Sequence, residues 1–221
     1  MPKEILVLPV SNAILFPHGS LSFQIKESRY GAVIRETAKD RREIGILFYR
    51  NIFRKKKLIT IPKQSLIGCL GMVEMFERLP LGRLNILLRG GKRFNVQRTS
   101  QSKACYRAEV ALLDDVDFRL TAAEKIRLAN HLYNKLEKYL QATLKIDTLS
   151  LSYKFDKLNL ERLINQAAMY LDVCFEEKQR ILEISSLEKR YQFINNIIEE
   201  GLAIARFSEN RMCIFENPIL N

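Results

Sequence analysis

The residue types that could carry chemistry are few and scattered. Four cysteines stand at Cys69, Cys105, Cys174 and Cys213, no two of them closer than 36 positions. A zinc knuckle or a redox pair needs two thiols a few residues apart. This spacing offers neither, so reduced and mostly buried thiols are expected. The only histidines are His18 and His131. His18 follows Pro17 in a turn, and His131 lies between the apolar Ala129 and Leu132; both read as structural residues. Glu176 and Glu177 do not make an acid pair, because neighbours on a helix point about 100° apart. The phosphate loop GxxxxGK[ST], the dinucleotide fingerprint GxGxxG and the nucleophile elbow GxSxG are all absent. The glycine groupings Gly68-Cys-Leu-Gly71 and Gly90-Gly91-Lys92 have none of these spacings. The expectation is a chain with no catalytic residue, no metal and no cofactor.

Cations are the one concentrated resource. Arg54, Lys55, Lys56 and Lys57 form a basic run, with the aromatic Phe48, Tyr49 and Phe53 close by in sequence. Arg89, Lys92 and Arg93 form a second group. Basic side chains neutralise phosphates or an acidic surface, and aromatic rings stack on bases. Strand alternation sends Lys92 and Arg93 to opposite faces, so the second group need not form one patch. These seven residues are the candidate contacts with an acidic partner. Over the whole chain of 221 residues the net charge is +11. Residues 1–118 hold 21 Lys+Arg and 11 Asp+Glu, whereas residues 119–221 hold 15 and 14. Nearly all the excess is therefore in the first half. An apolar fraction of 47% with 28% charged residues excludes a wholly disordered chain. The charge-free run over residues 5–25 has the length of a membrane span, but Pro9, Asn12, Pro17, His18 and Gly19 interrupt it. No secretory-signal pattern follows, so a cytoplasmic protein without membrane contact is expected.

Elements must position these residues. Residues 5–8, ended by Pro9, fit a strand, and residues 13–16, ended by Pro17, are a second run of the same kind. Residues 27–38 predict a helix with Tyr30, Val33, Ile34 and Thr37 on one face. Residues 44–49 predict a buried strand. Residues 67–76 and 83–88 flank Arg78-Leu-Pro-Leu-Gly82, whose Pro80 and Gly82 supply the chemistry of a hairpin turn. Residues 94–97 and 106–113 alternate as strands do. Short strands, one helix and no strand–helix–strand rhythm point to a small barrel or folded sheet over residues 1–118.

Residues 119–221 have helical period instead. Thr121-Ala-Ala-Glu124 has capping-box spacing and opens the stripe Ile126, Ala129, Leu132, Tyr133, Leu136, Leu140. A second stripe is Leu160, Leu163, Ile164, Ala167, Ala168, Leu171. Residues 176–184 predict a short charged helix. Ser185-Ser-Leu-Glu188 has the spacing of a second capping box and opens Leu187, Tyr191, Ile194, Ile198, Ala205. Single-stripe helices must pack together, so a small bundle is expected. Residues 145–157 read as irregular.

Several of these landmarks, taken in order, resemble the LON substrate-binding domain. That module lies at the N-terminus of ATP-dependent Lon proteases and also occurs as a free-standing bacterial protein. Leu6-Val-Leu-Pro9 and Ala13-Ile-Leu-Phe-Pro-His18 are similar to the family's opening strand and turn, and Arg29-Tyr30 to its free-standing branch. Ile67-Gly68 and Glu77-Arg-Leu-Pro-Leu-Gly-Arg-Leu84 resemble its central hairpin. Gly91-Lys-Arg-Phe94 and Tyr106-Arg-Ala-Glu-Val110 resemble the next two strands. Phe175-Glu-Glu-Lys-Gln-Arg-Ile-Leu-Glu183 is similar to its charged helix. Leu81 departs from the pattern, since an acidic turn residue is common there. The tail after Arg206 has no counterpart. The resemblance implies an α+β chain: a PUA-like small β-barrel with one helix over 1–118, then a C-terminal α-helical bundle over 119–221. It also implies a non-catalytic protein, because ATP hydrolysis and Ser/Lys peptidase chemistry belong to later domains of Lon.

Two functions follow as expectations. The first is a module that binds unfolded or extended polypeptide segments, or a partner protein, through an open strand edge or an apolar surface. The alternative is RNA or single-stranded nucleic-acid binding through the basic first half. Sequence leaves the oligomeric state open.

Overall fold

The structure is a computed structural model that describes residues 3–26, 43–49, 66–101, 106–144 and 155–215. The helix expected at 27–38 and the basic run 54–57 lie outside the described residues. The chain forms two compact units. The first is Met1–Val116 with Cys174–Ser185, and the second is Asp117–Val173 with Ser186–Asn221.

The first unit is built on six strands: β1 (Lys3–Val10), β2 (Ser20–Lys26), β3 (Glu43–Phe48), β4 (Ile67–Leu79), β5 (Arg83–Gln101) and β6 (Tyr106–Leu113). Their order is β2-β5-β4-β3-β1-β6, and β5 pairs with β6 as well. Following the pairings β5–β4–β3–β1–β6 therefore leads back to β5, with β2 attached outside this circuit to the first part of β5. Among the described strands only β1 and β3 run parallel. Alternate residues point inward and form two apolar clusters. One contains Ile5, Val7, Leu47, Leu70, Phe94, Val96, Ala108 and Val110. The other contains Leu8, Leu15, Ile44, Ile46, Cys69, Leu84, Ile86 and Leu88.

Two strand expectations need correction. Ala13, Ile14, Leu15 and Phe16 are all buried, yet no strand forms there. The segment turns back onto β5: Gly19 N–H donates to the Phe16 carbonyl at 3.1 Å, and His18 N–H donates to the Gly90 carbonyl at 2.9 Å. Gly90 N–H in turn donates to the Gly19 carbonyl at 2.7 Å. A Cβ on Gly90 would stand 1.9 Å from the Phe16 oxygen, so only glycine admits this approach. Strand β2, with Leu21, Phe23 and Ile25 alternating, is a second departure, since the sequence reading places no strand there. Residues 83–88 and 94–97 are parts of one continuous strand, β5.

Among the described residues the α-helices are α1 (Ala122–Leu144), α2 (Leu160–Tyr170), α3 (Phe175–Glu183) and α4 (Leu187–Phe215). Helix α3 belongs to the sheet unit. Its Gln179 amide donates to the Ile67 carbonyl at 3.0 Å, and Arg93 donates to its Leu182 carbonyl at 2.8 Å. The second unit is built from α1, α2 and α4. The Thr121 box forms as expected: Thr121 N–H donates to the Glu124 carboxylate at 2.8 Å, and Glu124 N–H donates back to the Thr121 hydroxyl at 3.3 Å. At α4 the cap is Ser186, whose hydroxyl accepts from Lys189 N–H at 3.3 Å. The cap thus lies one residue later than expected, and the expected box does not form, because Lys189 at the third helical position has no acceptor to return the bond. Along the first stripe Ala129, Leu132, Tyr133, Leu136 and Leu140 are buried, but Ile126 is exposed. Every member of the second stripe is buried. Of the stretch expected to be irregular, residues 155–157 are described, and Phe155 is buried edge-on between Tyr133 and Tyr170.

Candidate functional site

Strands β2, β5 and β4 form a three-stranded arm whose two faces differ in character. Register sets the faces. Leu21, Leu88 and Val73 stand in one row, and Phe23, Ile86 and Phe76 in the next. This face is apolar and packs onto the core. The rows of the other face are Ser20–Arg89–Met72, Ser22–Leu87–Met75 and Gln24–Asn85–Glu77. A β-bulge makes the arrangement work on β4. Val73 faces Leu88 and Met75 faces Leu87, so Glu74 is the extra residue. Without it, Val73 and Phe76, three apart, would fall on opposite faces.

The outer face exposes Met72 at 45% and Met75 at 47%, next to the partly buried Leu87. Methionine is unbranched and polarizable, and it adapts to partners of varied shape. Polar neighbours frame the two methionines. The Ser22 hydroxyl donates to Asn85 at 3.3 Å, and Arg89 pairs with Glu74 of the bulge. At the arm's tip Leu81 holds φ 64° and is 92% exposed. A non-glycine residue in this left-handed region costs roughly 1–2 kcal/mol, and here the strained residue holds an apolar side chain in water. Both borders of the arm are open among the described residues. Strand β2 pairs only with β5, and β4 beyond Met72 pairs only with β5. An open border presents unpaired backbone donors and acceptors, the template for an added strand.

The basic candidates have separate fates. Arg93 does not face a partner. It is 1% exposed, ion-paired with Asp115 and bound to the Leu182 carbonyl at the end of α3. Its position on β5 next to Phe94 places it on the side covered by α3. Arg89 lies on the outer face of the arm beside Met72. Lys92 is exposed and reaches Asp114 at 2.7 Å; this contact raises its pKa and lowers that of Asp114. Arg54, Lys55, Lys56 and Lys57, with Phe53, lie outside the described residues. Lys3 and Arg107 also pair with carboxylates, Glu43 at 2.5 Å and Glu4 at 3.7 Å. Among the described residues, Lys3, Arg89, Lys92, Arg93 and Arg107 of the sheet unit are thus each matched to a carboxylate rather than pooled. Met72 and Met75 are candidate contacts that the sequence reading does not include. The signal was Met72 and Met75 inside an otherwise regular strand.

Among the described residues no group of three or more His, Cys, Asp or Glu could hold a metal ion. No described helix is long and apolar enough to cross a membrane. Cys69 is buried, with its sulfur 3.4 Å from the Leu70 carbonyl, and Cys174 is exposed.

A family model described as the ATP-dependent protease La (LON) substrate-binding domain matches residues 4–200. The Lon protease of Buchnera aphidicola subsp. Acyrthosiphon pisum is 21% identical over 197 residues, covering 89% of this chain and 25% of the relative. Lon protease 1 of Bdellovibrio bacteriovorus is 26% identical over 185 residues, covering 83% and 23%. The chain spans about a quarter of the length of these curated relatives. A Lon N-terminal domain protein from Xanthomonas campestris superposes with a TM-score of 0.61 at 19% identity, covering 86% of this chain and 95% of that one. The N-terminal domain of Mycobacterium avium complex Lon protease gives 0.65 at 16%, covering 89% and 98%. At these identities the structural likeness speaks for the fold.

Proposed function

Because the chain belongs to the family of ATP-dependent protease La (LON) substrate-binding domains, we propose that it is a non-catalytic module that binds unfolded or extended polypeptide segments. The family match over residues 4–200 carries this reading. The arm of β2, β5 and β4 supplies a physical route. A client strand gains backbone hydrogen bonds at an open border, while Met72, Met75 and Leu81 take its apolar side chains without demanding one shape. Affinity at one such site is modest, because ordering a flexible client costs entropy. The closed circuit of strand pairings supports the PUA-like barrel that the family implies. Cytoplasmic residence is part of the same proposal.

The test is binding of a permanently unfolded, fluorescently labelled protein to the full chain and to M72E/M75E. The two methionines are about half exposed, so the variant retains its fold by circular dichroism. Its affinity is expected to drop about tenfold, as for loss of a central apolar contact. Unchanged affinity removes the arm from the proposal, and no client binding by the parent chain removes the proposal itself.

The second reading, RNA or single-stranded nucleic-acid binding, is favoured by the excess of 21 Lys+Arg over 11 Asp+Glu in residues 1–118. Pairing of Lys3, Arg89, Lys92, Arg93 and Arg107 with carboxylates weighs against it. It predicts an affinity for a labelled oligonucleotide that falls steeply with salt and is lost on K55E/K56E/K57E.

A further inference from the structure

The helical unit holds a cavity of about 420 Å³ that the client surface described above does not use. Phe118, Leu120, Leu128 and Tyr191 give it an apolar lining, and Arg119, Glu188 and Gln192 surround them. The starts of α1 and α4 build it. Phe118 is buried and lies edge-on to Tyr191, with ring centroids 6.2 Å apart and planes at 77°. Leu120 and Leu128 are only partly buried, so their apolar surface remains open. The volume lies within the roughly 300–1,000 Å³ typical of ligand sites and accommodates a large side chain with part of its backbone.

The polar groups decide what enters. Among the described residues, Arg119, Glu188, Tyr191 and Gln192 make no side-chain hydrogen bond or ion pair within the molecule. The Tyr191 hydroxyl is neutral at ordinary pH, and burial and the charge of Glu199 raise its pKa further. It therefore stays a donor. Glu188 lies in the first turn of α4, where the partial positive charge of a helix start stabilises a carboxylate. Arg119 has no such support, and its neighbour Asp117 is already bound to Lys125. Arg119 and Glu188 both line the cavity without a partner among the described residues, and the planar guanidinium, which holds a carboxylate through two N–H groups, is the group from which a ligand carboxylate gains most.

We propose that this cavity binds an aromatic or leucine-sized side chain of a polypeptide whose own residue, or the next one, carries a carboxylate. The side chain fills the Phe118, Leu120, Leu128 and Tyr191 lining, the carboxylate pairs with Arg119, and Gln192 and the Tyr191 hydroxyl take backbone groups. The carboxylate has two sources, the C-terminus of a chain or an acidic residue following the apolar one. The inference rests on the polypeptide-binding reading and adds to it a second site with a defined chemistry.

The test uses the full chain and three labelled decapeptides read by fluorescence anisotropy. One ends in Phe with a free carboxylate, one is its C-terminal amide, and one is an amide with an internal Phe-Asp step. At least one carboxylate peptide is expected to bind about tenfold tighter than the plain amide, the gain of a charged hydrogen bond. Preference for the free C-terminus alone assigns the terminal source, and equal preference for Phe-Asp assigns the internal one. Arg119→Gln abolishes the preference, and Leu128→Asp weakens all three peptides. Arg119 is exposed, so its variant carries the test even where Leu128→Asp impairs folding. The proposal is overturned when no carboxylate peptide outbinds the amide, or when R119Q leaves the preference intact. Unfolded-client binding that survives R119Q while M72E/M75E weakens it about tenfold keeps the module reading and separates the two failures.

Discussion

Arg93 shows how a residue counted among surface charges can be a structural pin. Its guanidinium lies between the carboxylate of Asp115 and the Leu182 carbonyl, with 1% of its surface exposed. Removing one partner of a buried pair leaves the other charge desolvated and unmatched, at a cost of about 3–5 kcal/mol. Arg93→Met is therefore expected to lower the urea midpoint by that equivalent. The double change with Asp115→Leu recovers much of the loss, and full additivity of the two would refute the coupling. Glu124 makes a pH prediction. Hydrogen bonds from Thr121 hold its carboxyl below the ordinary carboxylate value. Since the folded pKa is depressed, the stabilisation is complete above the unfolded value and fades as pH falls through the folded one. Amide exchange at the start of α1 should speed up across that acid window, and Glu124→Gln should remove the pH dependence. Neither role could be read from sequence in the same way. The capping box is local, with both partners three residues apart, and was legible. The partner of Arg93 on α3 is 89 positions away, so burial contradicted a reading made from local charge alone.

At the scale of elements, the arm of β2, β5 and β4 carries its own test. Leu81 pays for a left-handed backbone and for an exposed apolar side chain at once. Asn tolerates that backbone far better. Leu81→Asn is expected to raise stability by up to about 1 kcal/mol while weakening client binding, a sign opposition that thermal melts and anisotropy would read together. Gain on both counts would show the leucine to have no part in binding. Alternation and turn chemistry made most strands legible, because both are set within a few residues. Residues 13–16 misled because apolar content reports burial, and a buried segment held by Gly90 needs no strand partner. The bulge at Glu74 escaped because it appears only in the pairing of β4 with β5. Helix α3 was legible as a helix, but its side of the molecule was not: the contacts that tie it to the sheet unit come from Ile67 and Arg93, far away in the chain.

For the whole molecule, the charge excess and the family membership make separable predictions. Client binding through methionines should change little between low and moderate salt, whereas phosphate contacts lose affinity steeply. A salt titration of both ligands on the same preparation decides which partner the sheet unit serves. The sheet unit has a further property, since it is not continuous in the chain: it closes at Val116, is interrupted by residues 117–173, and takes up Cys174–Ser185 again. During synthesis from the N-terminus, all six strands therefore emerge before the helix that satisfies Arg93 and the Ile67 carbonyl exists. Contacts across such separations form late, and the first helices of the other unit have time to assemble meanwhile. A nascent chain arrested before residue 174 should be protease-sensitive in its strands, and release of the next dozen residues should protect them. The ribosome thus delivers the clasp of the sheet after the cargo it must wait for, and the protein spends part of its own birth as the kind of unfinished chain it is proposed to bind.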